Sequence, residues 1–278
     1  MIEVNGDDIN GTEWSLAMEL RYQSSEQIYV KPMLAEDAEL PEGVKELVFV
    51  HCPPFSGIGA EERRSDRGVQ NLEIGQGKPG NILRNLLLEV GEDRENWQRL
   101  VEDVRQLFNY TLLKPDYEPT SMPFIRAEYL AGTPKGRGLN SLPRYDIASA
   151  GSGFHQVLIL LSFFYAREAS VLLLDEPDAH LHVVLQRQIY DRLRLAASRQ
   201  RCQLVIATHS EVILDGTPPG KVLSFLGKPH PLVDEAGRDR SHGAINGVRS
   251  ASCKNKIDQF CIVRERATLK FWKPGLRS

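Results

Sequence analysis

Two adjacent carboxylates, Asp175 and Glu176, close the apolar run Val171-Leu-Leu-Leu174 and are followed at once by Pro177. Four consecutive aliphatics read as a buried strand, and the proline stops it. At a frayed strand end both neighbouring carboxylates can reach one pocket. An aspartate in that place suits a hard divalent cation such as Mg2+, which takes oxygen ligands. A glutamate beside it can orient a water and remove its proton for attack on a phosphoryl group. The bland alternative is a pair of acids capping a strand-to-helix turn. Four aliphatics running straight into Asp-Glu-Pro favour the chemical role.

A second apolar run, Gln203-Leu-Val-Ile-Ala207, ends in Thr208-His209-Ser210-Glu211. A neutral imidazole at a strand terminus can contact a terminal phosphate and a water held by a nearby carboxylate. A lone strand-end histidine is more often a packed one; its place two elements after Asp-Glu-Pro reverses that preference. Upstream of both, Ala148-Ser-Ala-Gly-Ser-Gly-Phe-His-Gln156 opens directly into an apolar helix. Small residues there let backbone N–H groups approach an anion, and the helix N-terminus adds its dipole. Alone, Ser152-Gly153 is also what an ordinary helix start looks like. The order of all three segments makes the set specific.

Those segments need a scaffold, and the chain supplies one from Ile147 onward. Phe154 to Tyr165 reads as a strongly apolar helix and Leu185 to Ala197 as an amphipathic one. Val222-Leu-Ser-Phe-Leu226 makes a third buried strand. Continuous apolar strands alternating with helices predict an α/β fold, a parallel sheet with helices on both faces. In such sheets chemistry gathers at the carboxyl ends of the strands. The first fifty residues read instead as strands: Trp14, Leu16, Met18 and Leu20 alternate with polar or small neighbours, and Gln27–Val30 and Glu46–Val50 are β-rich, the second stopped by Pro53-Pro54. Phe55 to Gly80 has no usable periodicity and is expected to be a long excursion from the body. Ile82, Leu83, Leu86, Leu87 and Val90 share one helical face, with Gly91 placed to end the helix. Trp97 to Phe108 repeats at three- and four-residue steps, and Phe124 to Leu130 is the one strand expected between Asp116 and Gly138.

The 278 residues are 41% hydrophobic and 26% charged, an ordinary globular balance. A net charge of −3 excludes a global attraction to nucleic acid. No apolar run is long enough to span a bilayer, and Met1-Ile-Glu-Val-Asn has no secretory character. The four cysteines, Cys52, Cys202, Cys253 and Cys261, form no metal-ligand spacing. A cytoplasmic protein with reduced thiols is expected. Residues 241–278 carry eight Lys/Arg against two acids, a charge of +6 that leaves −9 for residues 1–240. A poorly ordered basic tail is the expectation there, with DNA binding through it as the sharper alternative. The domain division expected is 1–140, a strand-rich and helical arm region, then 141–240, the chemical core, then the tail.

Residues 147–215 resemble the C-terminal half of an ATP-binding-cassette-type ATPase, and within that group the SMC/RecF-like and overcoming-lysogenization-defect (OLD-like) AAA-type ATPases. The resemblance implies a P-loop NTPase fold using ATP and Mg2+. It places Ser152 and Gly153 in the signature motif and Val171 to Asp175 in Walker B, with Asp175 on the metal side and Glu176 as the catalytic carboxylate. Asp178 to His182 falls in the D-loop, so that Asp178 and His182 would line the nucleotide, and His209 takes the switch position. It further implies a homodimer or a partner ATPase subunit, hydrolysis at the dimer interface, and work on DNA or in phage defence. The signature reads Ser-Gly-Phe-His-Gln and the D-loop ends Leu-His, both departures from the transporter pattern. The phosphate-wrapping GxxxxGK[ST] of such ATPases does not occur in the sequence. Its absence suggests that roughly a hundred residues, with a central strand, are missing ahead of this segment. A non-enzymatic interaction module is the rival expectation.

Overall fold

The structure is a computed structural model that describes residues 2–7, 12–24, 27–34, 39–40, 42–45, 47–132, 142–225, 230–231, 261–265 and 269–271. In chain order the elements are β1 (Ile2–Asp7), β2 (Glu13–Ser24), β3 (Gln27–Met33), α1 (Glu42–Lys45), β4 (Phe49–Cys52) and α2 (Arg67–Gly75). Then come α3 (Leu83–Glu92), α4 (Arg94–Phe108), β5 (Thr111–Leu112), β6 (Glu128–Leu130), β7 (Arg144–Asp146) and α5 (Ser152–Ala166). They are followed by β8 (Val171–Asp175), α6 (Val183–Gln200), β9 (Gln203–Thr208), α7 (Glu211–Asp215) and β10 (Val222–Ser224). Strands β11 (His230–Pro231), β12 (Cys261–Glu265) and β13 (Leu269–Phe271) complete the series.

Two compact units divide the chain: Met1–Val48 with Arg266–Ser278, and Phe49–Glu265. The first holds an antiparallel sheet in the order β13-β1-β2-β3. In β2 the period-two pattern is expressed as burial of Trp14 and Leu16 beside exposed Glu13 and Ser15.

The second unit carries the α/β architecture expected from the sequence. Its main sheet has the order β11-β10-β12-β9-β8-β4. Strands β4, β8 and β9 are parallel and in register, with Cys52 opposite Leu174 and Asp175 opposite Ala207. β12 is antiparallel to both β9 and β10, so β10 points the same way as β8 and β9 with one reversed strand between them. Residues 261–265 of the basic segment therefore lie within the sheet, between β9 and β10. The rest of residues 241–278, apart from β13, lies outside the described residues. Helix α5 is apolar all round, which fits a helix packed on every side. Phe154 to Tyr165 are all buried, and α3, α4 and α6 pack against the helix. A small antiparallel sheet, β5-β6-β7, stands beside this body.

Several elements differ from expectation for identifiable reasons. β4 starts later than the β-rich run Glu46–Val50, at Phe49, and runs to Cys52, where Pro53-Pro54 stops it as expected. Gly91 lies within α3; the helix ends at Asp93, whose side chain accepts the Asn96 N–H at 2.8 Å and starts α4. Phe55 to Gly80 is no excursion. Phe55, Glu62, Gln70, Pro79 and Gly80 are buried, and Asp66 caps α2 by accepting the Val69 N–H at 2.9 Å. The segment is fastened by polar anchors. Glu62 accepts the backbone N–H groups of Arg84 at 2.8 Å and Asn85 at 2.7 Å, and the Asn85 amide at 2.6 Å. Arg84, itself buried, holds Asp146 with both guanidinium nitrogens at 2.8 and 3.2 Å and the Ala60 carbonyl at 2.9 Å.

Burial pushes the Glu62 carboxyl up from 4.5 to about 7, against the pull of its N–H donors and the Arg84 charge. The folded state therefore keeps a proton that the unfolded chain has released. The stability this contributes is whole below pH 4.5 and is lost as pH rises through about 7. Between pH 5 and pH 8 the wild-type chain is expected to lose about 2 kcal/mol relative to Glu62→Gln. Urea denaturation of both proteins at the two pH values checks this, and a constant difference between them would contradict it.

Candidate functional site

β8 delivers Asp175 to its carboxyl end because Val171, Leu172 and Leu174 are buried and the strand is paired on both sides, with β4 and β9. The Glu176 N–H reaches the Ala207 carbonyl at 2.9 Å, extending the pairing with β9 one residue beyond the strand. At Glu176 the chain turns with φ 47°, and His180 repeats the left-handed conformation at φ 62°. Such angles are uncommon for residues with a side chain and concentrate at functional turns. Bonds from the Ala179 N–H to the Glu176 carbonyl (3.0 Å) and from the Leu181 N–H to the Asp178 carbonyl (3.1 Å) close the turn. His182 then caps α6, its ring accepting the Val184 N–H at 3.5 Å.

β9 ends beside this turn. His209 Nε2 lies 3.5 Å from Glu176 Oε1, and both side chains are partly open to solvent, at 37% and 44% exposure. That openness leaves both groups within reach of water and a ligand from the solvent side. The Thr208 hydroxyl donates to Asp178 and accepts the Ser210 N–H at 2.9 Å. The Ser210 hydroxyl donates to Gln186 Oε1 at 2.8 Å, and the Gln186 amide reaches back to the Leu181 carbonyl at 3.0 Å. Burial raises the Asp178 carboxyl above its ordinary value, and the Thr208 bond opposes the rise.

The first turn of α5 meets the same loop. Gln156 donates to the Pro177 carbonyl at 3.3 Å. A Cβ on Gly153 would stand 3.4 Å from the His180 carbonyl, so the helix and the turn approach closely. The helix start has no side-chain cap at Gly151, and Ser152 is exposed. His155 is fixed by a 2.6 Å contact of Nε2 with the Ile147 carbonyl.

Asp175, Glu176 and His209 are thus placed at adjoining strand ends, with Asp178 tied to them through Thr208. Ser152 and Gly153 adjoin the far side of the turn, and His182 sits at the head of α6. Sequence reasoning missed Thr208, Gln156 and the loop after β4. The signal for the last was a third apolar strand, β4, stopped by Pro53-Pro54 on the same side of the sheet as Asp175. Cys52, at its end, is fully buried, and burial with the Asp175 charge pushes its thiol up to about 12. The charged run Glu61–Arg67 is tethered: Arg63 lies over the Phe124 ring at 5.7 Å, Arg64 bonds Asn85 at 3.2 Å, and Arg67 stands 3.9 Å from Glu89.

The family model described as "AAA domain, putative AbiEii toxin, Type IV TA system" matches residues 60–215. The chain belongs to this family. AAA domains are nucleotide-binding ATPase modules, usually working with Mg2+. The ribose import ATP-binding protein RbsA 2 of Rubrobacter xylanophilus is 32% identical to this AAA chain over 114 residues. That alignment takes in 39% of the chain and spans 21% of the relative's length. Among solved structures, the SMC head domain from Thermotoga maritima aligns at 15% identity and a TM-score of 0.39, over 77% of this chain and 65% of that one. A protein from work on ATP-driven dimerization and DNA-stimulated activation of SMC ATPases aligns at 14% identity and a TM-score of 0.41, over 63% of this chain and all of that one. Among the described residues, no helix is long and apolar enough to cross a membrane.

Proposed function

We propose that this AAA chain forms an ATP-hydrolysing half-site in which Asp175, Glu176 and His209 act on the terminal phosphate. The observation that carries it is the placement of Glu176 and His209 within 3.5 Å, one residue past Asp175, at the carboxyl ends of two parallel strands. Glu176 takes the proton of the attacking water. His209 contacts the γ-phosphate and orients the Glu176 carboxylate. Ser152 and Gly153, at the start of α5, donate to the γ-phosphate of a nucleotide held by a second copy or a partner ATPase subunit. Asp178 and His182, at the two ends of the turn, face the same interface.

The donor set fits Mg2+. Among the described residues no three His, Cys, Asp or Glu side chains converge into an all-protein metal cage. Mg2+ needs none, since one or two carboxylates with waters and phosphates suffice, and Asp175 supplies the carboxylate. When bound, the ion neutralises charge on the phosphates. Asp175→Asn is expected to weaken Mg-ATP binding about tenfold while leaving metal-free ATP binding unchanged, a change of the size expected for one charged contact. Fluorescence titration of the full chain with ATP, with and without Mg2+, reads this directly. Equal Mg2+ dependence in the two proteins would remove Asp175 from the metal.

A second reading is favoured by one observation: GxxxxGK[ST] is absent from the 278 residues. On this reading the chain is an interaction module that lends Ser152 and Gly153 to another ATPase. The same titration separates the two, because the module by itself takes up no nucleotide.

A further inference from the structure

The segment Pro53-Pro54-Phe55 leaves β4 level with Asp175, since Cys52 is paired with Leu174. Phe55 is buried at 8% exposure. Its ring centre lies 6.0 Å from that of His155 on α5 and 6.4 Å from that of His180, meeting the latter edge-on at 81°. Tilted and edge-to-face pairs at these distances are the attractive arrangements for aromatic rings. Two residues on, Gly57 is pressed against Gly80, so the loop that carries Phe55 is held from its other side as well.

The turn that Phe55 touches has reason to need holding. Glu176 and His180 both adopt left-handed backbone angles that cost energy in a residue with a side chain. Among the described residues its ties to α5 include the 3.3 Å bond from Gln156 to Pro177 and the close approach of Gly153 to the His180 carbonyl and the Leu181 side chain. A ring lying against both His155 and His180 spans the two parts. We propose that Phe55 is a positioning residue: it holds the 176–182 turn, with Glu176 and Asp178, against the first turn of α5, with Ser152 and Gly153. For function this role rests on the assignment of those residues to the ATP half-site; for structure it stands alone.

Hydrogen exchange by mass spectrometry on the full chain tests it, comparing wild type with Phe55→Leu and Phe55→Tyr. Leucine keeps the apolar bulk and loses the ring, so the core stays filled. Exchange across 176–182 is expected to rise on the order of fivefold in Phe55→Leu, with α3 and α4 unchanged, and to return in Phe55→Tyr. Unchanged exchange at 176–182 overturns the role, and so does an equal rise throughout residues 49–225, which marks Phe55 as core packing only. In Mg-ATP hydrolysis, Phe55→Leu is expected to lower kcat severalfold at unchanged KM. A wild-type chain without turnover would refute the ATPase half-site and leave the exchange result to decide the role of Phe55.

Discussion

Replacing Glu176 with glutamine is expected to lower Mg-ATP turnover about 1,000-fold while nucleotide affinity stays within about twofold, the range for loss of a positioned general base. The amide is isosteric, so the 3.5 Å approach to His209 and the N–H bond to Ala207 have no reason to move. What it loses is the ability to accept a proton from water. Glu176 is half open, and the adjoining Asp175 keeps its carboxylate in the variant, so binding through the metal side is retained. Phosphate release and equilibrium binding, measured on both proteins, separate the two effects. Unchanged hydrolysis in the variant would remove Glu176 from the chemistry, and a parallel loss of binding would make it a ligand instead of a base.

Gly80→Ala is expected to be the most damaging small substitution in the unit, at about 3 kcal/mol, the upper range for overpacking against atoms that cannot yield. A Cβ at position 80 would lie 1.7 Å from the carbonyl oxygen of Gly57 and 2.8 Å from its carbon. Both are backbone atoms, so relief requires one main chain to move away from the other. Gly80 sits in the 3-10 turn Pro79–Ile82, which feeds straight into the buried helix α3. Gly57 holds φ 99°, a conformation open to glycine and costly for other residues. Gly75→Ala is the control. Nothing lies within 4 Å of its Cβ position, and alanine is the better helix former. Urea denaturation should show a large loss for the first and little change or a small gain for the second. Equal midpoints would mean that the two backbones do not meet as described.

The parts of this fold that were legible in the sequence are those written in local pattern. β8, β9 and α5 are apolar runs whose burial follows from composition, and the Asp-Glu-Pro and Thr-His-Ser endings announce where the strands stop. Their pairing then brings Asp175, Glu176 and His209 together, because parallel neighbours in register end at the same level. The anchoring of residues 55–80 was not legible. It depends on Glu62 meeting Arg84 and Asn85, more than twenty residues away, and a polar anchor has no periodicity to betray it. β12 escaped for a related reason: its five residues are a short mixed stretch whose partners, β9 and β10, lie far upstream. Phe55 was passed over because a Pro-Pro-Phe step after a strand reads as a simple stop, and only the parallel pairing of β4 with β8 aims it at the site. His182 stands at the head of α6 as its cap.

Equilibrium binding of Mg-ATP to the purified 278-residue chain is the most direct measurement. The ATP half-site predicts saturable binding that Mg2+ strengthens, that survives Glu176→Gln and that weakens in Asp175→Asn. No binding at millimolar Mg-ATP would contradict nucleotide use by these residues alone and leave the chain as a module that completes another ATPase.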